Sequence, residues 1–233
     1  KRAGGVIPAW KTVAGHGAHI KASRENLIIQ HRGIISEIPL RDLDHLLIIG
    51  GHNIQTAALA TLMKNDIFVS FFESEGEPAG YLIPYGYRAV GEIQDARKNA
   101  TPYRYALAFA HSAARERILA IERWNEGREG GCLYSGELDI LDQAARELDN
   151  YIKVEEISRV DRLIGDMYYE ILSRLIDPSL NYKKRTHRPY PDPVNSILTF
   201  GYTMLMASCT RLLVSLHIDP DDGMLHRGKR SMA

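Results

Sequence analysis

Lys183, Lys184, Arg185 and Arg188 place four cationic side chains within six positions, in the stretch "KKRTHRPYPDPVNSILTF". The whole chain holds 29 Lys and Arg against 29 Asp and Glu, so this charge is a local feature. The cluster precedes an apolar run of helical period that opens at Asp192-Pro193, with Asp suited to an N-cap and Pro to the first helical position. Cations are unfavourable at a helix N-terminus, where the macrodipole prefers negative charge. A polyanion explains their presence, because phosphates can meet the side chains and the helix N–H groups together. A solvated loop explains it equally well from composition alone.

Two further residues can do chemistry. His226 follows the turn-forming "DPDDG" and is trailed by Arg227, Lys229 and Arg230. Such a histidine is either a surface residue or, beside a carboxylate, a ligand for a metal used in phosphodiester chemistry. Asp161 stands in "ISRVDRLIG", inside a helical pattern that Asp does not favour. It is either a surface charge or a metal-binding carboxylate on the helix's inner face.

The elements that must position these residues divide the chain of 233 into two parts. In the first, "AHIKAS" and "NLIIQH" flank Arg24-Glu25 at a spacing that predicts a hairpin. "GIISEIPL", "HLLIIG", "IFVSFF" and "GEPAGYLIPYG" predict further strands. Between them "NIQTAALATLMKND" has helical spacing, with Asn53 as its expected N-cap. In the second part "TPYRYALAFAHSAARERILAIERWN" predicts a long helix from a Thr-Pro start, and helical period continues from Gly136 to Ile176. The expected fold is α+β: an N-terminal β domain with one helix over residues 1–88, a linker over 89–100, and an all-helical domain over 101–233.

Composition narrows the function classes. Hydrophobic content of 45% and charge of 25% are those of a globular chain and argue against wholesale disorder. No run of 18 apolar residues occurs and "KRAGGVIPAW" lacks a signal-peptide core, so no membrane partner is expected. Cys132 and Cys209 have no metal-type spacing, which suits reduced thiols in a cytoplasmic protein.

"KRTHRPYPDPVNSILTFGYTML" followed by "LHIDPDDGMLHRGKRSMA" resembles the C-terminal signature of the CRISPR-associated integrases, the family called CRISPR-associated protein one. "IPLRDLDHLLIIGGHNIQTAALATLMKNDIFVSFF" is similar to its β-domain stretch. The resemblance runs from about His19 to Ala233. It implies a metal-dependent DNA nuclease and integrase that inserts captured DNA fragments as new spacers into a CRISPR array. It also implies a homodimer through the β domain and assembly with CRISPR-associated protein two.

The family's metal ligands are a Glu, the His of "G-x-L-H" and a later acidic residue. Carried over, the His is His226 and the Glu position is Asp161, a side chain about 1.5 Å shorter by one C–C bond. Arg162 stands where the family has Gly, and the third ligand is expected beyond Ala233. The resemblance thus implies Mg²⁺ or Mn²⁺ on Asp161 and His226, which would be the catalytic pair. Lys183, Lys184, Arg185, Arg188, Lys229 and Arg230 would hold DNA phosphates. Two alternatives are a catalytically silent DNA-binding scaffold, which Asp161 and Arg162 favour, and a related mobile-element transposase.

Overall fold

The computed structural model describes residues 10–83, 91–186, 192–220 and 222–226. Arg188, Lys229 and Arg230 lie outside these residues. The described elements are α+β, with strands first and helices after them. The chain forms two units by its internal contacts, residues 1–88 with 200–217, and residues 89–199 with 218–233.

Alternating side chains build the first unit. Strand β1 is Trp10–Ala14, β2 His19–Ala22, β3 Asn26–His31, β4 Ile34–Pro39, β5 His45–Ile49, β6 Asn53–Ile54, β7 Phe68–Phe72 and β8 Pro78–Leu82. In β3, Leu27 and Ile29 are buried while their neighbours are not, the period of two expected of a sheet with one wet face. β4, β3, β2 and β6 form one sheet; β1, β5, β7 and β8 form another. In the second sheet β5 is buried at every position and pairs in parallel with both β1 and β7, as a strand covered on both faces should. One side of β5 sends Leu46 and Ile48 into a core shared with Ile20, Leu27 and Leu62, the last from helix α1, Thr56–Lys64. Gly50, at the end of β5, has φ +91°, and a Cβ there would lie 2.2 Å from the Gly15 carbonyl oxygen, so only glycine fits.

The first unit departs from the sequence reading at three points. β1 was not foreseen. Asn53 is a strand residue paired beside β2, and α1 begins two residues after Ile54 with Gln55 at its N-cap. Residues 200–217 group with the first unit, although the helical domain was drawn over 101–233. These residues belong to helix α6, Pro193–Ser215, whose Ala207, Met204 and Met206 cover Leu47 and Ile49 on the other face of β5 and Phe72 of β7. Thr203 donates its hydroxyl to the Gly76 carbonyl at 2.9 Å. α6 is apolar on most sides: by length and a mean hydropathy of 1.4 it meets the composition of a membrane span, and its Ile197, Leu205 and Leu212 are exposed.

Helices build the second unit. The segment expected to be a linker is helical as α2, Gly91–Asn99. α3 is Pro102–Glu126, α4 Glu137–Glu147 and α5 Val154–Leu175. α3 buries Ala106, Ala110 and Ala114 at a spacing of four, a stripe without bulk that lets another helix approach closely. α5 supplies Ile157, Val160, Ile164 and Ile171 to the same core. Arg174, near the end of α5, grips Glu137 at the start of α4 through two bonds of 2.7 Å and lies 3.9 Å over the Tyr134 ring. The guanidinium holds the Glu137 carboxyl below the usual carboxylate range.

His45 makes the first unit sensitive to acid. Its ring is fully buried, shares a 2.9 Å hydrogen bond with Ser70 and meets Trp10 and Phe68 edge-on. Burial, and secondly the charge of Arg211, lower its pKa to about 4. The unfolded chain takes up this proton near the ordinary pKa of about 6.5, and the folded chain resists it. Stability is therefore complete above about pH 6.5 and is lost as pH falls toward 4. Urea unfolding at pH 7 and pH 4.5 should show the wild type losing about 2–3 kcal/mol more than His45→Gln over that interval. Parallel losses in the two proteins would rule out His45 as the cause.

Candidate active site

Asp161 lies on the inner face of α5, between the core residues Val160 and Ile164, and is only 6% exposed. A carboxylate there needs a partner, since an unpaired buried charge is costly. Arg117 of α3 provides it. Its Nη1 donates to Asp161 Oδ1 at 2.6 Å and to the Asp161 main-chain carbonyl at 3.2 Å. One turn along α5 stands Gly165, beside which the guanidinium lies: a Cβ there would be in ordinary contact with Arg117 at 3.6 Å. A glycine inside a helix costs about 1 kcal/mol relative to alanine.

The other carboxylate oxygen faces a different residue. Asp161 Oδ2 is 3.8 Å from Nε2 of His226, too far for a hydrogen bond and close enough for an electrostatic contact. His226 is held from behind. Its neighbour Leu225 is buried in the helical core, and Ser158 of α5 donates its hydroxyl to the Leu225 carbonyl at 2.9 Å. The imidazole is about half exposed, 52%, so one side of the pair is open to solvent. Arg162 is exposed, so its bulk does not enter the buried face that carries Asp161.

Magnesium lies about 2.0–2.1 Å from each of its oxygen ligands, so two donors 3.8 Å apart can share one cation of this kind. The donor set, one carboxylate oxygen and one imidazole nitrogen, fits as part of such a site. Among the described residues no group of three His, Cys, Asp or Glu side chains is gathered for a metal. Arg117 bonds Oδ1, and Oδ2 is the oxygen that faces His226. Removing one member of a buried ion pair costs about 3–5 kcal/mol, so Arg117 also carries stability.

The basic segment proves to be two things. Lys183 and Lys184 are exposed. Arg185 is partly buried and its Nη1 donates to the Thr186 carbonyl at 3.0 Å, Asn195 Oδ1 at 3.1 Å and Thr199 Oγ1 at 3.0 Å. Asn195, fully buried, donates to the Lys184 carbonyl at 3.0 Å. Asp192 in turn accepts from the Asn195 N–H and its side-chain amide, both at 2.7 Å, the N-cap expected from the sequence. Arg185 thus ties the lysine-bearing segment to the first turns of α6. Arg117, Ser158 and Gly165 were not foreseen. Of these only Gly165 carried a signal, a glycine one turn from the aspartate in a helical pattern.

The whole chain can be compared with known proteins. Residues 12–233 match the profile of the family described as CRISPR associated protein Cas1. A putative CRISPR-associated endonuclease Cas1 of Methanospirillum hungatei is 51% identical over 220 residues, covering 94% of this chain and 73% of the relative. A CRISPR-associated endonuclease Cas1 of Pyrobaculum aerophilum is 26% identical, covering 93% and 72%. In fold, the chain is similar to a Cas1 protein from Thermotoga maritima, with a TM-score of 0.75 at 19% identity over 96% of this chain and 71% of that one. It is also similar to a casposase bound to its integration product, with a TM-score of 0.79 at 18% identity over 95% and 66%. The match over nearly the full length, with half of the residues identical to one relative, establishes that this chain belongs to the Cas1 family of CRISPR-associated endonucleases.

Proposed function

We propose that the chain cuts and joins DNA phosphodiesters as a metal-dependent integrase, placing captured fragments into a CRISPR array. The observation that carries this reading is the approach of Asp161 Oδ2 and His226 Nε2 to 3.8 Å, two residues distant in sequence and positioned by separate devices. Asp161 and His226 would hold Mg²⁺ or Mn²⁺, and the cation would stabilise charge on the attacking and leaving oxygens of the phosphodiester. The side chains of this chain do the rest. Arg117 fixes the rotamer of Asp161, Ser158 and Leu225 fix the loop of His226, and Lys183 and Lys184 attract the DNA backbone. Relatives support the partners: one solved chain of similar fold, at a TM-score of 0.80 and 20% identity, is described as part of a Cas6-RT-Cas1–Cas2 complex. The proposed partners are therefore DNA, a second copy of this chain through the β unit, and the protein called Cas2. Ile34 and Ile35, exposed on the edge strand β4, are apolar surface suited to such a dimer.

A second reading has one observation in its favour. Arg117 on Oδ1 neutralises Asp161, which suits a subunit that holds DNA without reacting. Strand-transfer assays separate the two. His226→Ala should lower joining of a DNA 3′ end to a target duplex by at least about 100-fold, with DNA affinity within about twofold. Ser158→Ala, which only loosens the loop, should cost far less, about tenfold or under. Full strand transfer by His226→Ala would reject the catalytic pair and leave the DNA-holding reading.

The basic segment gives a separate test. Changing Lys183 and Lys184 to Ala should weaken binding to unrelated duplexes alike and reduce the salt slope by about two. Arg185→Ala should instead lower the melting temperature, because Arg185 serves the protein's own carbonyls. A sequence-selective loss in the lysine variant, with the salt slope unchanged, would contradict phosphate contact.

A further inference from the structure

Asn195 is a polar residue in the first turn of an apolar helix, and it is fully buried. Its primary amide offers two N–H donors and an oxygen that accepts at two lone pairs. All four are used. Nδ2 donates to Asp192 Oδ2 at 2.7 Å and to the Lys184 carbonyl at 3.0 Å. Oδ1 accepts from the Thr186 N–H at 2.9 Å and from Arg185 Nη1 at 3.1 Å. Three of these partners come from the consecutive residues 184, 185 and 186, so one side chain holds the chain that carries the lysines. The bond to Lys184 takes its carbonyl, and the side chains of Lys183 and Lys184 stay exposed. The same network closes the start of α6. The Asn195 N–H, which a phosphate could have met, is given to Asp192 Oδ1 at 2.7 Å. Attraction for an anion in this segment therefore falls, among the described residues, to the two lysines.

We propose that Asn195 is a positioning residue for DNA, pre-organising the segment that bears Lys183 and Lys184. Affinity then depends on a buried, uncharged amide that no phosphate touches. The inference rests on the phosphate-binding reading above and deepens it. A segment already ordered loses little backbone freedom when its lysines meet phosphates, whereas a free one loses it on binding. The number of phosphates neutralised is set by the lysines and is the same in both cases. Because the salt slope reports that number, loss of Asn195 weakens binding and leaves the slope alone. Loss of the lysines lowers both.

The test is binding of the full chain to a duplex of arbitrary sequence over a range of salt concentrations. Asn195→Ala is placed in the wild type and in the Lys183→Ala/Lys184→Ala background, which makes a double-mutant cycle. Alanine favours the helix, and Arg185 keeps its bonds to the Thr186 carbonyl and to Thr199. Asn195→Ala should bind about tenfold more weakly than the wild type at an unchanged salt slope. In the background without the two lysines it should bind within about twofold of its parent. Equal losses in the two backgrounds would give Asn195 a general structural role and overturn the inference. Unchanged affinity in the single variant, or a slope reduced by about two, overturns it as well. Hydrogen exchange of the wild type needs no variant. The Thr186 N–H should exchange slowly without DNA and no more slowly with it. Fast exchange that slows only when DNA is added overturns pre-organisation, even if Asn195→Ala does not fold. Undiminished affinity and slope in the lysine variant would reject the phosphate reading and this inference with it. A lysine variant that loses both, beside an unaffected Asn195→Ala, rejects the inference alone.

Discussion

A carboxylate buried among the isoleucines and valines of α5 is the constraint around which the helical unit is arranged. A carboxylate buried there needs a charged partner, and Arg117 of α3 bonds Asp161 Oδ1 at 2.6 Å. That requirement brings α3 and α5 close together. The alanine stripe of α3 permits the approach. The same contact orients the aspartate, so its second oxygen points toward the loop of His226. Packing, charge and site geometry are thus consequences of one buried acid.

The loop of His226 shows how a histidine can be fixed without a secondary-structure element of its own. Leu225 is inserted into the helical core and its carbonyl is bonded by Ser158, three residues before Asp161 on the same helix. The two members of the pair therefore share one scaffold. A similar economy governs the basic segment. Arg185, the cation nearest the α6 turn, is consumed by Asn195 and Thr199, and its reward is an ordered segment that presents Lys183 and Lys184 outward. Charge density in a sequence does not tell which cations face solvent. Acceptors at the helix start decide that.

Much of the fold was legible in advance, because hydrophobic period and turn residues report local structure directly. The hairpin of β2 and β3, the apolar strands β5 and β7, the Thr-Pro start of α3 and the Asp192 cap of α6 are all local signals. What escaped was non-local. Asn53 looks like a cap, but its backbone is claimed by β2 in parallel pairing. β1 is short, and its strand character depends on β5 beside it. The division of α6 between two units follows from its apolar surface meeting Leu47 and Phe72, which its own period cannot reveal. Asp161 and His226 were singled out partly from residue chemistry and partly from family resemblance. Arg117 was not, since an arginine in "AARERIL" reads as surface charge until its partner on another helix is known.

The central claim is that Asp161 and His226 face one another in order to share a cation, with Arg117 reserved to the far oxygen. Anomalous diffraction from crystals grown with Mn²⁺ and duplex DNA tests this most directly. The account predicts a single manganese peak within bonding distance of Asp161 Oδ2 and His226 Nε2, with Arg117 still on Oδ1. Manganese bound elsewhere, or bound to Oδ1 with Arg117 displaced, would contradict it.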